Sequence, residues 1–72
     1  MPSIDIHVLD GVFSKEEKAD IILRVTDAFG HIAGEKIKSG TSVRIHEVSS
    51  GAWGYGGEVL TTAAARNMRE RG

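Results

Sequence analysis

Residues 14–34 read SKEEKADIILRVTDAFGHIAG, and the reading of this stretch decides the fold. It opens on Ser14 with Glu17 three positions later. At that spacing the serine hydroxyl accepts from the Glu17 N–H and the Glu17 carboxylate accepts from the Ser14 N–H, a capping box. Ile22, Val25, Phe29 and Ile32 then recur at helical spacing, with Ile21 and Ala28 widening the stripe. Gly34 is placed to end the helix as its cap. The pattern predicts one long amphipathic helix from about residue 14 to about residue 33.

Working outward, residues 3–9 alternate. Ile4, Ile6 and Val8 point one way, and Ser3, Asp5, His7 and Leu9 point the other. That period of two, rich in β-branched residues, predicts a half-buried strand ended by Asp10-Gly11. On the other side of the helix, after a polar stretch with Gly40, residues 41–48 alternate again. Val43 and Ile45 share one face, and Ser42, Arg44 and His46 share the other. Strand, long helix, strand is a β-α-β unit, so the fold class is α/β with two parallel strands. Residues 49–58, SSGAWGYGGE, hold the only Trp and Tyr and four glycines, which predicts a Gly-rich hairpin or turn. Thr61 or Thr62 is placed to cap a short last helix through Ala63, Ala64, Ala65 and Met68. No repeat or second unit is visible, and residues 1–72 form a single domain.

The size argues for assembly. A chain of 72 residues buries only about 60% of its unfolded surface and has a marginal core. Chains this small are usually held by disulfides, a metal or partner subunits. There is no cysteine, and His7, His31 and His46 lack zinc-like spacing, so an oligomer is expected by elimination. One helix covers one sheet face only, and the other face is expected to meet another subunit. Nine Lys plus Arg against ten Asp plus Glu give a net charge of −1, without the basic footprint of a nucleic-acid binder. Arg66, Arg69 and Arg71 are the one basic cluster and read as a solvated tail. No stretch reaches the roughly 18 apolar residues of a membrane span, and the amino terminus lacks the basic and apolar regions of a signal peptide. A cytoplasmic protein is the default expectation.

Conventional catalytic motifs are missing: there is no Cys nucleophile, G-x-S-x-G elbow, H-E-x-x-H or Walker loop. Asp10, Glu16, Glu17 and Glu47 read as solvated carboxylates, and His7 and His46 as strand-surface residues. The unusual feature is Met1-Pro2, which contains the only proline. A small second residue favours removal of the initiator methionine, which would leave a secondary amine at the head of the first strand. A free α-amine titrates near about 7.7–8.0 and is lowered by burial or nearby cations, so it is suited to act as a general base. Arg44 lies mid-strand on the face of Ser42 and His46. Its planar fork suits a carboxylate, although an ordinary pairing with an acidic neighbour explains it equally well. Trp53 and Phe13 are candidates to wall an apolar pocket.

The order and spacing of these pieces resemble the 4-oxalocrotonate tautomerase family. The likeness is carried by Met1-Pro2, by IDIHVLDG at residues 4–11, by FSKEEK at 13–18 and by VTDA at 25–28. The second strand from Val43 to Val48 and SGAWGYGG at 50–57 complete it. It runs from residue 1 to about 62. The resemblance implies β-α-β subunits assembled as dimers into a homo-oligomer, a hexamer built as a trimer of dimers, with active sites between subunits. It implies keto–enol tautomerisation of a small unsaturated 2-oxo acid, without a cofactor, with the amino-terminal proline shuttling the proton. Arginines bind the carboxylate and carbonyl, and an aromatic residue near the hairpin shapes the pocket. Carried onto this chain, Pro2 is the base and Trp53 the aromatic residue. The best-studied members place an arginine directly after the first strand's glycine; here that place is Val12. Arg44, with Ser42 beside it, is left to hold the substrate carboxylate, and Trp53, Phe13 and Leu9 to exclude water. Two other readings keep the scaffold. One is dehalogenation or decarboxylation of a small acid with a protonated Pro2; the other is a non-catalytic oligomeric binding protein.

Overall fold

The computed structural model describes residues 1–72. Its elements are β1 (Ser3–Leu9), α1 (Lys15–Ala33), α2 (Glu35–Ser39), β2 (Ser42–Val48), β3 (Trp53–Tyr55), β4 (Glu58–Leu60) and α3 (Thr62–Arg71). β1 and β2 pair in parallel, with Ser3 opposite Ser42, Asp5 opposite Arg44, His7 opposite His46 and Leu9 opposite Val48. β3 and β4 form a separate antiparallel hairpin in which Trp53 faces Leu60. The β-α-β unit, Gly-rich hairpin and short last helix match the architecture expected from the sequence.

The helix begins as its capping box dictates. Ser14 Oγ accepts from the Glu17 N–H at 3.1 Å, and the Ser14 N–H donates to Glu17 Oε1 at 2.9 Å. At its other end the Gly34 N–H donates to the Gly30 carbonyl at 2.8 Å, with Gly34 at φ 98°, a conformation that glycine adopts without strain. The polar stretch that follows is not a loop. Glu35–Ser39 make one more helical turn, α2, folded back on α1. The Lys38 side chain lies so tightly across Gly30 that a Cβ there would fall 2.5 Å from Lys38 Cγ. Its ammonium reaches Asp27 at 2.8 Å, which together with Glu35 raises the Lys38 pKa. An uncapped pattern of five residues carries too little periodicity to be visible beforehand.

Packing sorts the sheet into two faces. Ile4, Ile6, Val8, Val43 and Ile45 are half-buried, and Glu47 on the same face of β2 binds Lys18 of α1 at 2.9 Å. Ser3, Asp5, His7, Ser42, Arg44 and His46 are exposed on the opposite face. Only Leu9 and Gly30 are buried, Leu9 at 5% exposure. The helix stripe expected from the sequence is therefore only half used within one chain. Ile21 and Val25 are half-buried, whereas Ile22, Leu23, Phe29 and Ile32 face outward, Ile32 at 90% exposure.

The proportions agree with a subunit and not with a self-sufficient globule. The radius of gyration is 14.6 Å, against about 11 Å for a compact domain of this length. The accessible surface is 5259 Å², against about 4,300 Å² for a compact monomer of 7.7 kDa. No helix is long and apolar enough to cross a membrane.

Candidate active site

Two groups of candidate residues sit at opposite ends of β1. The first is at its start. The Pro2 carbonyl accepts from the Ser42 N–H at 2.9 Å, and the Met1 ammonium donates to the Gly40 carbonyl at 2.6 Å. Pro2 thus enters the sheet beside Ser42, one pleat from Arg44. The Arg44 guanidinium uses all of its edges here. Nε donates to Asp5 Oδ1 at 3.0 Å, one terminal nitrogen donates to Ser42 Oγ at 2.6 Å, and the other donates to Ser3 Oγ. His46 Nε2 shares Asp5 Oδ1 at 2.9 Å, and the His46 ring stacks on His7 with centroids 4.9 Å apart. The His46 and Arg44 hydrogen bonds, in that order, hold the Asp5 carboxyl below its usual range.

Arg44 is therefore both things the sequence allowed: a strand arginine paired with an acidic neighbour, and a fork whose tips rest on two hydroxyls next to Pro2. Asp5 was not singled out beforehand. Its signal was its parity with Arg44, but pairing across strands depends on register, which a single strand does not reveal.

The second group is at the far end of β1, about 20 Å away for a strand of this length. An apolar hollow of about 270 Å³ is lined by Val8, Leu9, Val12, Phe13, Leu60, Ala65, Met68 and Arg69. Leu9 and Phe13 are in it, as expected; Trp53 is half-buried and adjoins it through its cross-strand partner Leu60. The hairpin follows β2, which runs parallel to β1, so it leaves from this end. Within one chain Pro2, Ser42 and Arg44 come together, and Leu9 and Phe13 come together with Trp53 adjoining through Leu60, but the two groups do not meet.

The third feature corrects the sequence reading. Arg66 and Arg69 do not belong to a solvated tail, whereas Arg71 is exposed as expected. Thr61 caps α3 by accepting from the Ala64 N–H at 3.2 Å, and one face of α3 is stitched to the loop after β1. Thr62 Oγ1 donates to the Asp10 carbonyl at 2.6 Å, Arg66 Nε to the Gly11 carbonyl at 2.7 Å, and Arg69 to the Val12 carbonyl at 3.0 Å. Positions 62, 66 and 69 fall on one side of a helix, so three side chains satisfy three consecutive carbonyls. Arg69 also forms a forked ion pair with Glu17 and lies over the Phe13 ring at 4.8 Å. That pair, followed by the backbone hydrogen bond from Ser14, pulls the Glu17 carboxyl down to about 2. The signal for this docking was the spacing of Thr62, Arg66 and Arg69, legible only once the loop carbonyls were in place. No group of three or more metal-ligating side chains is present.

The comparisons with known proteins agree with this architecture. The family model described as tautomerase enzyme matches residues 2–63. A structure from work on the 4-oxalocrotonate tautomerase isozymes of Methylibium petroleiphilum is 32% identical with a TM-score of 0.70. That alignment covers 88% of this chain and 95% of the relative. DmpI from Helicobacter pylori is 27% identical with a TM-score of 0.70, over 99% of this chain and all of that one. No curated protein matches the sequence significantly. With 62 of 72 residues inside the family model, the capped β-α-β unit and its hairpin place this chain in the tautomerase family, among proteins of the 4-oxalocrotonate tautomerase type.

Proposed function

We propose that this protein is a cofactor-independent keto–enol tautomerase of a small unsaturated 2-oxo acid, with Pro2 as its base after Met1 is removed. With Met1 attached, the Pro2 nitrogen is a tertiary amide and has no basicity. Freed, it is a secondary amine that takes a proton from the enol hydroxyl and returns one to carbon, so a single group serves both halves of the transfer.

The arrangement around Arg44 is the observation that carries this reading. Two of its three hydrogen-bonding edges rest on the neutral hydroxyls of Ser3 and Ser42, directly beside Pro2. A substrate carboxylate displaces such partners readily, because a charge-assisted forked pair is stronger than bonds to hydroxyls. Asp5 meanwhile holds the Nε edge and keeps the fork against the Ser3 and Ser42 hydroxyls. The separation of the two residue groups supports a site completed between subunits. The Leu9, Phe13 and Trp53 end of one chain would cover the Pro2 and Arg44 end of another and exclude water. The extended shape and the outward-facing Leu23 and Ile32 are in keeping with a homo-oligomer such as a hexamer.

The test is to verify by intact mass that Met1 is absent, then to follow ketonisation of 2-hydroxymuconate by the protein and by Pro2→Ala. The expected result is a fall of at least about a hundredfold in the variant. Equal rates in the two proteins, or Met1 retained on the natively produced chain, would overturn the mechanism.

A further inference from the structure

We propose that carboxylate binding at Arg44 is coupled to uptake of a proton by His46, which makes His46 a positioning residue that sets substrate affinity. The inference deepens the tautomerase reading above and rests on Arg44 as the holder of the substrate carboxylate.

The exposed face of the two-stranded sheet carries one continuous polar cluster. Arg44 Nε donates to Asp5 Oδ1 at 3.0 Å, and His46 Nε2 meets the same oxygen at 2.9 Å. A charged carboxylate only accepts, so Nε2 carries the hydrogen and Nδ1 is the ring nitrogen left to titrate. Nδ1 has no hydrogen-bond partner in the chain, and the side chain is 48% exposed, so water delivers its proton directly. The charged groups on this face are few. They are Asp5 and His7 from β1, Arg44 and His46 from β2, and the Pro2 amine once Met1 is gone. Glu47, next to His46 in the chain, turns to the other face and is closed on Lys18 of α1. The remaining ion pairs, Arg24 with Asp20, Lys38 with Asp27 and Arg69 with Glu17, include no group of this face. His7 stacks on the His46 ring but bonds no carboxylate.

Counting charges gives the coupling. With His46 neutral, Asp5 and Arg44 cancel, and an arriving carboxylate leaves the cluster with one negative charge in excess. With His46 as imidazolium the cluster starts one charge positive and ends neutral. The anion therefore binds the protonated form more tightly, and by the same linkage its arrival draws a proton from water onto Nδ1. Through the shared oxygen, Arg44 Nε and His46 Nε2 lie at most about 6 Å apart, and a carboxylate on the far tips of the fork stands about 8 Å from the imidazolium. In so exposed a cluster the dielectric of water applies, and a unit charge at that separation changes affinity about two- to threefold. Histidine changes charge between about pH 5 and 8, so affinity is highest below that range and falls as pH rises through it.

The experiment uses the Met-free, full-length protein and sorbate, an unreactive monocarboxylate. Calorimetric titration near about pH 6.5, in buffers of low and high ionisation enthalpy, reads the protons taken up on binding. Wild type is expected to take up about 0.2–0.3 proton per site more than His46→Gln, whose amide keeps a donor for Asp5 but does not titrate. The Pro2 amine is common to both proteins and cancels in the difference. As pH rises through the histidine range, KM for an enol acid should climb about two- to threefold more in wild type than in His46→Gln, while the two kcat profiles superimpose. His7→Gln should keep the wild-type uptake. In wild type alone, the titration midpoint of the His46 ring resonance should move to higher pH on saturation with sorbate. An unmoved midpoint, equal uptake in wild type and His46→Gln, or uptake lost in His7→Gln and kept in His46→Gln would overturn the inference. Sorbate binding unchanged in Arg44→Ala sinks the carboxylate role of Arg44 and this inference with it. Binding weakened in Arg44→Ala without His46-dependent uptake sinks the coupling and leaves the tautomerase reading standing.

Discussion

Replacing Arg44 separates its two roles, partner of Asp5 and holder of the substrate carboxylate. In the structure its terminal nitrogens donate to Ser42 Oγ and Ser3 Oγ, and a bound carboxylate takes their place. A hydrogen bond to a charged group contributes about 1.5–3 kcal/mol, and two are at stake. The side chain is 46% exposed, so screening leaves about 2–3 kcal/mol for the pair. Arg44→Ala should therefore raise KM for an enol acid roughly 30- to 150-fold. Arg44→Lys keeps a point charge but loses the planar fork, and should recover only part of that loss. The assay is steady-state ketonisation with 2-hydroxymuconate beside an enol that lacks any carboxylate. The carboxylate-free enol should be turned over at the same KM by all three proteins. An unchanged KM for the acid in Arg44→Ala, or an equal rise for both enols, would refute the carboxylate role and leave Arg44 as a cross-strand ion pair.

Other outcomes follow from the same geometry. Asp5→Ala should raise KM for the acid about three- to tenfold at constant kcat, because it frees the Nε edge that aims the fork, and Asp5→Asn, which keeps an acceptor, should restore most of it. Glu17 is held at about 2 from 4.5, so the stability it contributes is complete above about pH 4.5 and is lost as pH falls toward 2. Thermal unfolding between those pH values should therefore be less steep in Glu17→Gln. Gly11 has φ 82°, and an added Cβ would lie 3.1 Å from Thr62 Cγ2, so Gly11→Ala should destabilise the protein by about 1–2 kcal/mol and lower its melting temperature by several degrees. Dilution should lower the melting temperature as well, because a chain with only two buried residues depends on partner subunits for its core; a midpoint independent of concentration would count against that.

Much of the subunit was legible in the sequence because local physics decides it. The Ser14–Glu17 box, the apolar recurrence to Ile32 and the glycine at 34 define one helix whatever surrounds them. Strict alternation defines β1 and β2, and a helix between two strands leaves them parallel. Met1-Pro2 marks a candidate base without any fold, since the chemistry of a free secondary amine belongs to the residue. What the tertiary structure alone decided is which residues meet. Register put Asp5 opposite Arg44 and His7 opposite His46, and a shift of one residue would have turned those side chains to the other face. The docking of α3 turned Thr62, Arg66 and Arg69 into donors to the carbonyls of residues 10–12, contacts that exist only once α3 lies against that loop. The twenty-ångström scale of β1 split the candidate site into two ends, a consequence of strand rise that residue type alone does not reveal.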